Sequence, residues 1–324
     1  MLAFFLRRAL QSVAVLLSVA MLAFWLFQFV GDPVSSMVGQ DASAEVRDQL
    51  RADLGLDRSV PVQFLNFIGH AVQGDFGLSL KQGRKVSVLL AERFPATLEL
   101  ALVAALLALA LGVPLGVYTA LRQDAFWSRV VMALSLLGVS VPTFLLGVVL
   151  IWLFAVQWAW LPSFGRGTTV WIGAWPTGLA SVDGWRHIAL PAVTLAVYQV
   201  TLILRLVRAE MLEVLRSDFI KFARARGLTD RVVHFGHALK NSLVPVITIT
   251  ALQLGGLIAF SLITETVFQW PGMGLLFIQA VQSSDIPVMA AYLCVVALVF
   301  VVVNLAADLM YVLVDPRLRG AEGR

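Results

Sequence analysis

The sequence has one cysteine, few charged residues and no phosphate-binding loop. Cys294 lies in an apolar run, so an intrachain disulfide and a cysteine-based metal site are both excluded. Charged residues make up 14% of the 324 residues and hydrophobic residues 59%, whereas soluble domains carry roughly a quarter charged residues. No G-x-x-x-x-G-K-[ST] motif occurs, so the usual means of binding ATP phosphates is missing. The composition therefore predicts a membrane protein that does not itself hydrolyse ATP.

Six apolar runs are long enough to cross a membrane. Backbone groups in hydrocarbon must be satisfied internally, which predicts that all six are helices, the first being retained rather than cleaved as a signal peptide. No lysine or arginine lies inside them, and two acids, Glu99 and Asp308, lie near span ends, where interfacial or packing roles are expected. Kinks are expected at the "GVPLG" of 112–116, at Pro142, at Pro191 and at Pro245. The predicted spans are 9–30, 97–120, 130–156, 187–204, 243–263 and 289–313.

The basic residues predict that both termini face the cytoplasm. In that orientation the cytoplasmic segments hold 15 of the 24 lysines and arginines, and eight of these lie in the loop 205–242. The segment 31–96 is then outside, and its length predicts a folded cap with helices near 44–54 and 60–71. The predicted fold is an all-α integral membrane protein with six transmembrane helices. Its regions are 1–30 for the tail and first span, 31–96 for the cap, 97–314 for a five-helix core with an outer loop at 264–288, and 315–324 for a cytoplasmic tail.

The cytoplasmic loop contains a short helix that a glycine ends. Asp218 is expected to cap a helix over 219–226, and Gly227 to end it in the left-handed conformation. Ala223 and Gly227 are four residues apart, which predicts a face with almost no side chain and close approach of another surface. A second helix, about 230–241, leads into the fifth span.

Three interpretations of this loop compete. A DNA-binding helix–turn–helix has the same outline, but tethering to spans at both ends would keep it out of a groove. A basic loop that contacts anionic lipid explains the charges but not the glycine or the small face. The third interpretation is a docking element for a cytoplasmic protein. His234 and His237 are three residues apart in the same loop, but the sequence offers no third ligand, so no metal site is predicted.

The stretch "FARARGLTDRVVHFGHALKNSLVPVIT" resembles the cytoplasmic loop of ABC-importer permeases, in the version found in dipeptide and oligopeptide permeases. The general pattern is Glu-Ala-Ala, three residues, then Gly. The matching positions here read Lys221, Phe222, Ala223 and Gly227, so only the second Ala and the Gly are kept.

Further stretches agree in order along the chain. These are "GDP" (31–33), "LGLD" (54–57), "GDFGLS" (74–79), "TLEL" (97–100), "VPTF" (141–144), "LPA" (190–192), "TETVFQWPGMG" (264–274), "DIPV" (285–288) and "DPRLR" (315–319).

This resemblance implies a dipeptide permease B-type subunit, a binding-protein-dependent transport system component of the bacterial inner membrane. The loop would be a coupling helix that enters a cleft of an ATP-binding subunit, and the cap would receive a periplasmic or extracellular solute-binding protein. Expected partners are a second, different permease chain, two ATP-binding subunits, the solute-binding protein and membrane lipid, with no nucleic acid. ATP and Mg²⁺ would bind to the partners, and this chain would hold no cofactor or metal. The expected coupling residues are Phe222, Ala223, Arg224, Gly227 and Leu228.

The stretch 264–274 lies outside the fifth span and has no basic residue. The resemblance implies an outer gate or a contact with the binding protein, formed by a turn at 270–272 that dips back toward the pore. The alternative is an interfacial anchor with Trp and Phe at headgroup depth. Glu265 either binds a peptide's amino group or has a structural or solvated role. The candidate residues are Glu265, Phe268, Trp270, Pro271 and Gly272.

The sequence therefore predicts a non-catalytic subunit that imports dipeptides or oligopeptides. Glutathione, nickel chelates and peptide-like antibiotics are alternative substrates that the motifs do not separate. An ion-coupled carrier is a more remote alternative, because the carboxylates expected at mid-membrane in a proton-driven carrier are absent from the sequence. An intramembrane enzyme would need a nucleophile–base pair or a metal site at depth, and the sequence shows no such arrangement.

Overall fold

A computed structural model describes residues 2–29, 57–79 and 81–314, with residues 45 and 49 between them. Within these ranges five helices are long and apolar enough to cross a membrane, and a bent pair gives a sixth if its halves are counted as one span. The prediction of a helical protein with six spans is therefore confirmed when the bent pair is counted as one span. The predicted cap helix near 44–54 and the tail 315–324 lie outside the described residues.

Two of the helices adjoin π-helical segments. The helix Thr143–Leu150 continues as a π-helix over Ile151–Gln157, and a second π-helix, Val232–Ala238, leads directly into the helix that begins at Leu239. The elements are α1 (Leu2–Phe29), α2 (Val60–Val72), β1 (Leu78–Ser79), β2 (Arg84–Lys85), α3 (Val86–Leu121), α4 (Phe126–Ser140), α5 (Thr143–Leu150), β3 (Val170–Ile172), β4 (Trp175–Thr177), α6 (Val182–Arg216), α7 (Asp218–Ala225), α8 (Leu239–Val267), α9 (Met273–Ser283) and α10 (Ile286–Val314).

The helices extend beyond the predicted spans. The second predicted span began at residue 97, but α3 begins at Val86, inside the segment assigned to the cap. The fourth was predicted to end at residue 204, but α6 continues to Arg216. Apolar composition marks the part of a helix that suits hydrocarbon, whereas a helix continues for as long as its backbone bonds and caps support it. The cap helix predicted at 60–71 is confirmed as α2, Val60–Val72.

The proline positions differ in their effect. Helices α4 and α5 meet at an angle of 109°, and Val141, just before Pro142, is extended with ψ of 124°, as a residue before proline prefers. This confirms a break at Pro142. By contrast, α6 continues through Pro191 and α8 continues through Pro245.

Two short β-hairpins and helix α9 were not predicted. Strand β1 pairs with β2, and β3 pairs with β4, both antiparallel. In the second hairpin Ile172 pairs with Trp175, and Gly173 takes the first turn position with φ of +62°, a conformation that glycine adopts without strain. The all-α fold class is confirmed, and these strands escaped prediction because two or three residues are too few to show an alternating pattern.

The chain divides into two compact units. The first comprises residues 1–97 and 271–302. In it, α1 packs on α2 through Phe24, whose ring centroid lies 5.5 Å from that of Phe64. The buried hydroxyl of Ser79, at the end of β1, donates a hydrogen bond to the buried carboxylate of Asp285, just before α10. The "GDFGLS" and "DIPV" stretches are therefore joined within this unit.

The second unit comprises residues 98–270 and 303–324, and α6 is central to it. Helices α4, α5, α7 and α8 all pack against α6. Ser181 caps α6 by accepting a hydrogen bond from Gly184 N at 2.9 Å.

Glycines on α3 and α4 face α6 where side chains would not fit. A methyl group at Gly112 would lie 2.8 Å from Ile203 Cγ2, and one at Gly116 would lie 2.6 Å from Val207 Cβ. On α4, a methyl group at Gly138 would meet the hydroxyl of Thr201. Small residues at these positions let helices approach at backbone distance, which is a main source of helix association in lipid.

We expect Gly116→Ala to destabilise the protein by about 1–3 kcal/mol, because the added methyl group overlaps Val207 and the carbonyl of Leu204. The measurement is the apparent melting temperature in detergent. Gly236→Ala is the matched control, because a methyl group there would meet its nearest neighbour at 3.7 Å. Equal melting temperatures for the two variants would contradict the close contact.

Candidate functional site

The predicted docking segment forms a short helix that a left-handed glycine ends. Helix α7 covers Asp218–Ala225, and Gly227 follows with φ of +79°. Both the helix and the glycine stop are thereby confirmed. The predicted cap was wrong by one residue: Ser217 occupies the N-cap position with ψ of 153°, and Asp218 instead pairs with Lys221 at 2.8 Å.

One face of α7 is buried against the chain itself. Ile220 and Ala223, one helical turn apart, are 0% and 5% exposed, and α7 packs on α6 and on the π-helix Val232–Ala238. The Phe219 ring meets His237 edge-on with centroids 5.6 Å apart. The prediction that Ala223 and Gly227 form one open face is therefore wrong for Ala223. Its position three residues after Ile220 places it on the inward side.

The opposite face is open and mixes apolar with basic groups. Phe222 and Leu228 are 65% and 37% exposed. The guanidinium of Arg226 lies 5.9 Å from the centre of the Phe222 ring. Apart from the two adjacent residues, no atom of the described part of the chain lies within 4 Å of the place where a side chain at Gly227 would begin. We call Phe222, Arg224, Gly227 and Leu228 the α7 surface.

The segment after the α7 surface leads into the fifth span, as predicted. The second helix was expected over about 230–241, and the chain is helical there. Its Val232–Ala238 part is a π-helix, which the sequence did not indicate. Helix α8 follows at Leu239 without a break, so the α7 surface is connected to α6 on one side and to α8 on the other.

The stretch after the fifth span makes a tight turn, which we call the 264–270 turn. Helix α8 ends at Val267, and Phe268 N donates to Thr264 O at 3.0 Å. Gln269 is left-handed with φ of +47°, and Trp270 N donates to Glu265 O at 2.8 Å. The reversal is therefore at residues 268–269, two residues before the predicted position of 270–272. Pro271 and Gly272 belong to the first unit, where Gly272 is the N-cap of α9.

The candidate side chains of this turn are buried. Glu265 is 0% exposed, and Phe268 and Trp270 are each 1% exposed. Ser261 Oγ donates to Glu265 Oε1 at 3.0 Å. This burial contradicts both the solvated role considered for Glu265 and an anchor of Phe268 and Trp270 among lipid headgroups. A carboxylate in such a place is rare and is often functional in membrane proteins.

Sequence reasoning missed the group that packs beside the turn. Arg166 Nη2 lies 2.6 Å from Glu99 Oε2, and the two side chains are 7% and 6% exposed. The Arg166 guanidinium carbon lies 5.9 Å from the centre of the Trp270 ring. Trp175 Nε1 also donates to Glu99 Oε1 at 3.1 Å. Glu99, for which an interfacial or packing role was expected, is thus held in a buried ion pair. The signal in the sequence was the lone acid in an apolar run, which needs a buried partner.

We expect Ile220→Ala and Phe222→Ala to affect stability differently, because Ile220 lies on the buried face of α7 and Phe222 on the exposed face. Ile220 is buried, so its truncation should destabilise the chain by about 2–5 kcal/mol. Phe222 is exposed, so its truncation should change stability by less than about 0.5 kcal/mol. The measurement is the melting temperature of each variant in detergent. A larger loss from Phe222→Ala than from Ile220→Ala would contradict the orientation of α7.

Comparison with known proteins gives matches along nearly the whole chain. Residues 112–320 match the family described as "Binding-protein-dependent transport system inner membrane component", and residues 1–101 match its N-terminal counterpart. The dipeptide transport system permease protein DppB of Escherichia coli K12 is 37% identical over 336 residues, covering 98% of this chain and 99% of that protein. The glutathione transport system permease protein GsiC of Salmonella typhimurium is 35% identical over 320 residues, with the same coverage.

A solved structure has the same fold. A chain of the MetNI methionine ABC transporter superposes with a TM-score of 0.57 at 21% identity, covering 70% of this chain and 96% of that chain. At this level of identity the likeness concerns the arrangement of helices and not the substrate.

Proposed function

The chain belongs to the family of binding-protein-dependent transport system inner-membrane components, and from this premise we propose that it carries dipeptides and oligopeptides across the bacterial inner membrane. It is a multi-pass permease subunit of an ABC importer. The observation that carries the substrate proposal is the 37% identity with a dipeptide permease over the full length of both chains.

Glutathione is the second candidate substrate, because a glutathione permease is 35% identical over a similar length. Glutathione is itself a short peptide with a free amino group and free carboxylates. The two candidates therefore share one chemical class, and the solute-binding protein that delivers the substrate would choose between them.

We propose that the α7 surface docks on a separate ATP-binding subunit. Exposed Phe222 and Leu228 supply apolar contact, and Arg224 supplies charge. Gly227 has open space around it, so a partner could approach the backbone there. The complete transporter would contain two ATP-binding subunits, a second, different permease chain and a solute-binding protein. ATP and Mg²⁺ would bind to the ATP-binding subunits.

We further propose that the 264–270 turn forms part of the outer gate of the path. Its buried Glu265 lies at the end of the fifth span, which continues to the α7 surface at its other end. Movement of the docked segment would therefore reach the turn along a single helix. The proposal concerns Glu265, Phe268 and Trp270, with Pro271 and Gly272 following them in the chain.

Gly227→Asp should abolish co-purification of the ATP-binding subunits and reduce uptake by roughly tenfold or more, because it places an unpaired charge in the contact. Aspartate and asparagine tolerate the left-handed conformation better than other side chains, and the site has open space, so the chain should still fold. The measurements are a pull-down of the tagged chain with partners identified by mass, and uptake of a labelled dipeptide.

Gly227→Asn is the matched control for charge, because it has the same size and no charge. Loss with both variants indicates that close approach matters, and loss with Asp alone indicates that charge matters. Normal co-purification and uptake with both would exclude docking at Gly227. If the wild-type chain purifies without ATP-binding subunits while a control complex stays intact, the ion-coupled carrier becomes the better explanation.

The substrate is tested with the solute-binding protein that stimulates ATP hydrolysis by the purified complex. We expect mass analysis of the ligand released from that protein to give dipeptides or oligopeptides, and stimulation to require them. Release of glutathione instead would select the second candidate. A nickel chelate or a peptide-like antibiotic as the stimulating ligand would overturn both.

A further inference from the structure

We propose that Arg166 is a positioning residue that holds the 264–270 turn in its closed arrangement, and that opening separates the turn from Arg166 while Arg166 stays paired with Glu99. The inference rests on the proposed role of this turn in the outer gate. It adds to the proposed gate a residue that lies about a hundred positions before the turn in the sequence and that belongs to none of the motifs.

Gly165 and Arg166, which are neighbours in the chain, both contact the 264–270 turn. Gly165 N donates to Phe268 O at 3.0 Å, which joins the loop backbone to the turn. The Arg166 guanidinium faces the Trp270 ring at 5.9 Å. Arg166 Nη2 also contacts Glu99 at 2.6 Å and Pro176 O at 2.7 Å. Arg166 therefore links the turn to α3 and the β3–β4 hairpin.

The contacts that Arg166 makes with α3 and the hairpin are stronger than its contact with the turn. The pair with Glu99 is buried and charge-assisted, and the carboxylate also accepts from Trp175 Nε1 at 3.1 Å and from Gly178 N at 3.4 Å. Separating that pair would leave two buried charges without partners, which is strongly unfavourable. This side is therefore the fixed one.

The contact with the turn is the weaker one. A distance of 5.9 Å to the ring centre is near the outer limit of a cation–π contact, and one backbone hydrogen bond accompanies it. Because Trp270 and Phe268 are almost fully buried, the turn cannot open without leaving these contacts. Separation of the turn from Arg166 therefore costs less than separation of Arg166 from Glu99, and it leaves that ion pair intact.

The test measures how often the turn opens. Thr264 is 1% exposed, and its hydroxyl makes no hydrogen bond within the described part of the chain, so Thr264→Cys introduces a small buried thiol. Cys294→Ser removes the native thiol. The complete transporter, with its ATP-binding subunits, is placed in proteoliposomes, and a membrane-impermeant maleimide is added from the outer side.

Arg166→Lys keeps the charge for Glu99 but loses the planar group that faces Trp270. We expect it to raise the resting labelling rate of the thiol at 264 about five- to tenfold, the change expected from losing one cation–π contact. ATP hydrolysis without solute-binding protein should rise, and uptake per ATP should fall. A residue that only balances the charge of Glu99 would show neither change on replacement by lysine.

Arg186→Lys is the matched control. Arg186 donates to Trp160 O at 3.0 Å, and within the described residues no hydrogen bond or ion pair joins it to the turn. This variant should label at the wild-type rate. If Arg166→Lys does not assemble, the double variant Glu99→Gln with Arg166→Gln, which leaves no buried charge unpaired, should give the same increase in labelling.

Two negative results have different meanings. If the thiol at 264 is labelled when ATP and loaded binding protein are added, but Arg166 and Arg186 variants have equal resting rates, the role of Arg166 is wrong and the gate proposal stands. If the thiol is never labelled in a complex that transports dipeptide, the gate proposal itself fails, and the role of Arg166 fails with it.

Discussion

Close contact between glycine-bearing helices and α6 determines the arrangement of the second unit. Gly112 and Gly116 of α3 and Gly138 of α4 allow α6 to approach them at backbone distance. In lipid no hydrophobic effect drives helices together, so such contacts and the dispersion attraction they permit must supply the association. Helices α5, α7 and α8 then pack on the same central helix. Both candidate functional segments follow from this arrangement, since one continues from α6 and the other ends α8.

The α7 surface is positioned by what is buried beneath it. Ile220 and Ala223 fix the helix to its own chain, and Phe222 and Leu228 are exposed as a result. A segment that docks a moving partner needs both properties. It must present apolar side chains outward, and it must be held firmly enough that a displacement is passed to the spans and is not lost in the loop.

The sequence predicted the centres of the spans, the cap helix α2 and the glycine stop at Gly227, because each depends on local composition or on one conformational requirement. It did not predict where α3 begins or α6 ends, since charged residues interrupt the apolar run there while the helix continues, Glu92 and Arg93 in α3 and Arg205 and Arg208 in α6. It placed Ala223 outward because spacing gives a shared face but does not say which neighbour covers that face. The Glu99–Arg166 pair was missed because the partners lie 67 residues apart in the chain, and no local pattern joins them.

The glycine contact between α3 and α6 also limits how the permease can move. The two helices cannot roll over each other without first separating at these positions, because Ile203 and Val207 of α6 sit where Gly112 and Gly116 of α3 have no side chain. A movement of α6 that keeps these contacts therefore carries the neighbouring part of α3 with it. Glu99 lies on α3, and α7 begins just beyond Arg216, the last residue of α6. A displacement of α7 that α6 follows would thus be passed by direct helix contact toward the carboxylate that holds Arg166.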